Sequence, residues 1–196
     1  MARVLTPRLA RILDLQTVAA GALPAGVLHV LKDFKGFDQV QPKWCWAAVV
    51  ATVYRHYSGE SIEPCEWAAI RLGGPRCGCC HKPGGCDSDY DIEAALGSMA
   101  GGVDGPVRAE RIAAEIDAKP HGRPIVCVQF TEAHVVVIYG IEERGGQHFV
   151  YWFDPDGDFY HLGDTEIQAF TQGSPGWSVT IFTQPVFTKP GGPRCP

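Results

Sequence analysis

The stretch Gln39-Val40-Gln41-Pro42-Lys43-Trp44-Cys45-Trp46-Ala47-Ala48 sets one cysteine at the point where a helical pattern begins. From Cys45 onward Trp46, Val49, Val50, Val53 and Tyr57 recur at helical spacing, and Ser58-Gly59 supplies a stop. A thiol in the first turn of a helix lies among unpaired N–H groups at the positive end of the macrodipole. Such a setting favours the thiolate, the form that attacks a carbonyl carbon. A free cysteine taken by itself reads equally well as a small buried hydrophobe. Its partners decide between the two.

Trp44-Cys45-Trp46-Ala47-Ala48, with Gln39 and Gln41 just upstream, resembles the nucleophile segment of small bacterial papain-like cysteine peptidases. That group includes plant-pathogen effector proteases and relatives of the bacteriocin-leader peptidases. In those families a histidine opens a later strand and an Asp or Asn follows on the next. The same order occurs here. Glu132-Ala133-His134-Val135-Val136-Val137-Ile138-Tyr139-Gly140 matches the histidine strand, and Val150-Tyr151-Trp152-Phe153-Asp154-Pro155 matches the strand end that carries the acid. Papain itself spaces His and Asn ~130–150 residues after the cysteine. Here both lie much closer, which implies a trimmed papain-like domain.

The resemblance implies a cysteine endopeptidase acting on a protein or peptide substrate. Cys45 attacks the carbonyl, His134 holds and returns the proton, and Asp154 orients the imidazole. Histidine suits its role because its ordinary pKa, ~6.5, lets it accept and return a proton near neutrality. If the two strands are hairpin neighbours, the 20 residues from His134 to Asp154 bring both to one end of a sheet. For the oxyanion hole, Gln39, six residues before Cys45, has the spacing of papain; Gln41 is the rival if the loop is shortened. No cofactor and no metal is expected at the site. A cognate inhibitor or immunity protein is the further partner such families imply.

Each residue also has a plainer reading. A histidine before an apolar strand is commonly an edge residue, and Asp154-Pro155-Asp156-Gly157 alone is a good turn. Asp154, Asp156 and Asp158 imitate a calcium loop, but Phe159 and Thr165 stand where that loop needs Gly and Glu. His29, His56, His81, His121, His148 and His161 have no comparable setting, although His81 lies beside cysteines. The joint occurrence of Cys45, His134 and Asp154 in this order is what favours catalysis.

The chain has 196 residues, the size of one domain with a sizeable core. Its formal charge of -5, from 17 basic and 22 acidic residues without a long run of either sign, gives no basic groove for nucleic acid. No apolar stretch approaches the roughly 20 residues of a membrane span, and no lipidation signal is present. The expected division is residues 1–25 as a helical lead-in or export segment and residues 26–196 as the peptidase domain. Arg3, Arg8, Arg11 and Asp14 interrupt any signal-peptide core among Leu5, Leu9, Ile12, Leu13 and Val18. Export or delivery by a specialised secretion system fits the resemblance; a cytoplasmic location is the other option.

The remaining pattern is α+β. Val27–Phe34 reads as a strand and Pro64–Leu72 as a second helix. Ser88 caps a helix with Asp91 three residues on, Gly97–Gly105 is a loop, and Val107, Ile112 and Ile116 mark another helix. From Pro124 the pattern becomes an antiparallel meander: Ile125–Phe130, His134–Ile141, Gln147–Phe153, Asp158–Leu162 and Trp177–Phe182. The resemblance sets the cysteine helix of a helical N-terminal half against this C-terminal sheet.

Gly73 to Cys86 is a cysteine-rich loop carrying Cys77, Cys79, Cys80 and Cys86, with Cys65 nearby. Zinc and disulfides are both open on the residues alone, although paired Cys-x-x-Cys knuckles are missing. Related peptidases carry cysteine-rich loops at this place, so the resemblance favours disulfides among these five, with connectivity open. Disulfides imply an oxidising destination. Two other functions compete with proteolysis. One is a transglutaminase or deamidase acting on glutamine side chains with the same three residues. The other is a non-catalytic binding module with a zinc- or disulfide-stabilised loop.

Overall fold

A computed structural model describes residues 26–75, 77–129, 134–156, 163–172, 176–189 and 195. The readings of residues 1–25 as a lead-in and of Asp158–Leu162 as a strand lie outside the described residues. Four helices precede most of the sheet: α1 (Cys45–Ser58), α2 (Pro64–Arg71), α3 (Gly78–His81) and α4 (Ile92–Leu96). Two more follow, α5 (Ala109–Ile116) and α6 (Ile167–Gln172). The strands are β1 (Leu28–Val30), β2 (Ala100–Asp104), β3 (Ile125–Gln129), β4 (His134–Arg144), β5 (Gln147–Phe153), β6 (Gly163–Glu166) and β7 (Trp177–Thr183). The architecture is α+β, as expected.

Helix α1 begins at Cys45 without a side-chain cap at Trp44 and with no acid in its first turn. Gly59 ends it in the left-handed conformation, φ 71°, where its N–H reaches the Arg55 carbonyl. A residue with a Cβ would strain that turn. Every residue from Trp46 to Tyr54 is buried, so α1 is a central helix rather than an amphipathic one. Helix α2 starts on a reciprocal capping box between Glu63 and Glu66, with Pro64 in its first turn.

The strands form one sheet in the order β2-β7-β3-β4-β5-β6, and β1 pairs with β4. Only β3 to β6 run as a simple meander. The expectation for the last strand is therefore corrected: β7 returns to lie antiparallel beside β3, with Val126 opposite Ile181. The reason is burial. Ile125, Val126 and Cys127 are fully buried, so both backbone edges of β3 need partners out of water. β1 then covers the far part of the β4 edge, pairing Val30 with Gly140.

Side chains on alternate residues send the sheet's two faces to two cores. Val126, Val135, Val137 and Ile181 pack with α1, α2 and α4. Ile125, Cys127, Val136 and Ile138 pack with α5, Leu31, Phe170 and Trp177. The helical half thus docks on one face, and the N-terminal end of α1 comes to the end of the sheet where β4 starts and β5 finishes.

Other expectations need correction. Gly97–Gly105 is not a loop throughout, because Ala100–Asp104 pairs with β7 despite Gly101 and Gly102. Asp91, not Ser88, caps α4: its side chain accepts the Ala94 N–H, while the Ser88 carbonyl is engaged by the Trp46 indole. β1 stops at Val30, where Asp33 at φ 54° turns the chain. Helix α6 had no sequence reading.

Three disulfides take the cysteine-rich loop: Cys65–Cys80, Cys79–Cys86 and Cys77–Cys195. All five cysteines named for that loop are in bridges, which corrects the zinc-stabilised alternative. The sixth partner, Cys195, lies 118 residues from Cys77, which precedes α3, and its N–H reaches the Glu66 carboxylate of α2 at 3.4 Å. Cys45 and Cys127 are free.

Candidate active site

The site is made where three element ends meet. Cys45 is the first residue of α1 and its thiol is partly exposed. His134 is the first residue of β4. Asp154 directly follows β5. β4 and β5 are hairpin neighbours, which brings His134 and Asp154 to the same sheet end.

His134 Nε2 lies 2.6 Å from Asp154 Oδ1, with the two side chains 16% and 14% exposed. At that burial a charged hydrogen bond is little screened by water. Cys45, at the first position of α1, acts on the same ring. Burial opposes the charge on His134 most strongly. Hydrogen bonds to Asp154 and Cys45, and the charges of both, outweigh it and raise the ring from 6.5 to about 10. The ring is therefore an imidazolium at neutral pH. That arrangement can deliver a proton to a leaving group beside a nucleophile.

A relay of hydrogen bonds holds the three elements in register. Thr52 on α1 donates to the Ala48 carbonyl at 2.8 Å and accepts the Phe37 N–H at 2.9 Å. Two residues further, the Gln39 N–H reaches the Pro155 carbonyl at 2.7 Å. The loop before Cys45 is thus fastened to α1 on one side and to the Asp154 turn on the other. Asp154 Oδ1 also accepts the Asp156 N–H at 2.8 Å, which fixes the carboxylate as well as the ring. Gly36 allows the loop to lie on the Phe153 ring, since a Cβ there would run into it.

Of the two glutamines, Gln41 turns its Nε2 to the Val40 carbonyl at 2.7 Å. The Gln39 Nε2 has only a 3.4 Å contact to the Pro42 carbonyl, and its Oε1 is buried without a partner. Thr52, Phe37 and Pro155 had no sequence reading as parts of the site: Phe37 and Pro155 act through backbone groups, and Thr52 through a hydroxyl that a buried helical threonine does not announce. The two tryptophans flanking Cys45 did carry a signal: a buried indole N–H needs an acceptor. Both find one, Trp44 on the Cys86 carbonyl at 2.9 Å and Trp46 on the Ser88 carbonyl at 3.0 Å.

A cavity of about 890 Å³ lies at the other end of α1, lined by Phe34, Arg55, His56 and Lys119 among others, and includes none of the three residues. Geometry, not concavity, marks the site. Among the described residues, His, Cys, Asp and Glu form no group of three that could hold a metal, and no helix is long and apolar enough to cross a membrane.

A thiol at the start of a buried helix, facing an imidazole and a carboxylate at one end of an antiparallel sheet, is the papain-like arrangement. Residues 30–172 match the family model described as papain-like cysteine protease AvrRpt2, and the chain belongs to that family of hydrolases. A solved chain from work on the mite allergens Blo t 1 and Der p 1 shares the fold. Its TM-score is 0.51 at 15% identity, over 87% of this chain and 74% of that one. No curated protein matches this chain in sequence.

Proposed function

We propose that Cys45, His134 and Asp154 are the catalytic triad with which this cysteine protease hydrolyses peptide bonds. The observation that carries the reading is His134 bonded to the Asp154 carboxylate at 2.6 Å, on a ring that Cys45 at the start of α1 also acts upon. The Cys45 thiolate attacks the scissile carbonyl carbon. The oxyanion that forms accepts the Cys45 backbone N–H, free at the uncapped start of α1, and a side-chain N–H from Gln39. Gln39 is preferred to Gln41 because its amide lacks a close competing acceptor and its backbone is tied to the Asp154 turn.

Collapse of the tetrahedral adduct breaks the C–N bond as the imidazolium proton passes to the leaving amine. The acyl group stays on sulfur as a thioester. Neutral His134 then takes a proton from water, hydroxide attacks the thioester, and the acid product leaves with the thiolate restored. Asp154 keeps Nε2 bonded throughout, so the sulfur always faces the same ring nitrogen.

The peptidase domain is assigned to residues 26–196. Six of the eight cysteines are bridged, which supports work in an oxidising compartment after export, on proteins outside the producing cell. An inhibitor or immunity protein is the corresponding partner where the enzyme is made. Recovery of equally reduced protein from cytosol and culture medium would count against that destination.

The test of the triad is Cys45→Ala and His134→Ala, each assayed for peptide-bond cleavage on a proteome-derived peptide library with thermal unfolding as the fold control. Both variants lose cleavage and remain folded. Ammonia release by the native enzyme without chain cleavage would move the reaction to glutamine side chains.

A further inference from the structure

The two residues that flank Cys45 are clamped to one short strap. The Trp44 and Trp46 indoles donate to the carbonyls of Cys86 and Ser88, and the Lys43 N–H donates to Asp87 Oδ1 at 2.9 Å. Three consecutive strap residues thus receive three hydrogen bonds from residues within two positions of the nucleophile. Trp44 and Trp46 are almost wholly buried, so their indoles have no water to fall back on. The strap itself is closed by the Cys79–Cys86 bridge across seven residues. Inside that ring the Cys65–Cys80 bridge and the Lys82 N–H bond to the Gly78 carbonyl hold the first half, while Pro83–Cys86, a single 3-10 turn, leads into the strap and is tied to the first half by the Cys79–Cys86 bridge. Cys79 is buried, whereas Cys86 is partly exposed.

We infer that the Cys86–Ser88 strap is the positioning element of the nucleophile, with Asp87 its side-chain member, and that the Cys79–Cys86 bridge makes activity conditional on oxidation. The inference rests on Cys45 being the nucleophile. Opening the bridge needs an external dithiol. One of its thiolates attacks the accessible Cys86 sulfur and releases the Cys79 thiolate, which takes up a proton. The second thiol then attacks the mixed disulfide, leaving the reductant as a cyclic disulfide and Cys86 as a thiol. Two electrons and two protons pass to the protein. The strap then loses its closure, the start of α1 loses its three acceptors, and the sulfur drifts from the His134 ring. Displacements of this kind near a nucleophile are costly in rate without changing the substrate contacts.

The readout is the rate of Cys45 alkylation by iodoacetamide at pH 7, followed by peptide mapping, which requires no known substrate. The full chain is treated with graded dithiothreitol and desalted, and each bridge is quantified by mass spectrometry. The alkylation rate falls about tenfold, the equivalent of ~1.4 kcal/mol, in proportion to opening of Cys79–Cys86 and not of the other two bridges. Asp87→Ala, at a partly exposed position, lowers the rate by a similar factor with the bridge intact, and Asp87→Asn, which keeps the acceptor, restores it to within about twofold. Thermal midpoints above the assay temperature show that each species is folded. A fast Cys45 indifferent to both the bridge and Asp87 would overturn the positioning role alone. A native Cys45 no faster than free N-acetylcysteine would overturn the catalytic reading beneath it.

Discussion

Replacing Asp154 by alanine removes the carboxylate that holds His134 Nε2 at 2.6 Å and that helps to raise the ring to about 10. A hydrogen bond to a charged group in such a half-buried setting contributes about 1.5–3 kcal/mol. Spread over the rate, that is a loss of roughly 10- to 150-fold in kcat/KM at pH 7. Spread over protonation, the same energy is about one to two pH units. The alkaline limb of activity, which follows loss of the imidazolium, therefore moves from near 10 toward about 8. Asp154→Asn separates the two effects. It keeps an oxygen acceptor for the ring, so the rate at pH 7 falls less, but it loses the charge, so the limb still moves.

Stability follows the same sign. His134 titrates above its ordinary 6.5 in the folded chain, so its contribution to folding is complete below 6.5 and is lost as pH rises through about 10. The native protein's thermal midpoint should fall across that window, and that of Asp154→Ala should fall less. The assay is kcat/KM from pH 5 to 10.5 with parallel thermal unfolding. An alkaline limb that stays in place in both variants, with the rate at pH 7 within twofold of native, would refute the role given to the carboxylate.

Three further outcomes can be measured separately. Gln39→Ala should lower kcat by about 10²–10³, the cost of one oxyanion donor, while Gln41→Ala stays within a few-fold; the reverse order would exchange their roles. Gly36→Ala forces a Cβ into the Phe153 ring next to Asp154 and should cost about 1–3 kcal/mol in denaturant unfolding, with a matching loss of activity at assay temperature. Joint replacement of Cys77 and Cys195 by alanine opens a loop spanning 118 residues and should cost about 4–5 kcal/mol by chain entropy, read from the denaturation midpoint.

The placement of Cys45, His134 and Asp154 on their elements was more legible in the sequence than the sheet around them. Cys45 at a helix start, His134 opening a valine-rich strand and Asp154 closing the next are local patterns, each written within a few residues. The hairpin connecting two of them is local as well. β2 escaped notice because Gly101 and Gly102 carry no strand pattern, and its pairing with β7 spans some 80 residues of chain. The return of β7 to β3 was hidden for the same reason. An apolar strand shows that it needs a neighbour, not which one it takes. Cys195 is the same case among the cysteines: five in or near the loop left one unpaired, and its partner stood far down the chain. The hydrogen-bond relay through Thr52, Phe37, Gln39 and Pro155 is largely backbone, and backbone groups are common to every residue.

The central claim is that a single activated sulfur does the chemistry. An epoxysuccinyl peptide, which reacts with thiolates held beside an imidazolium, tests it directly when labelling is mapped by mass spectrometry and residual hydrolysis is measured on the same samples. The expected result is one equivalent on Cys45, none on Cys127, and hydrolysis lost in step with the label. Peptide-bond cleavage that persists with Cys45 fully labelled would contradict the account.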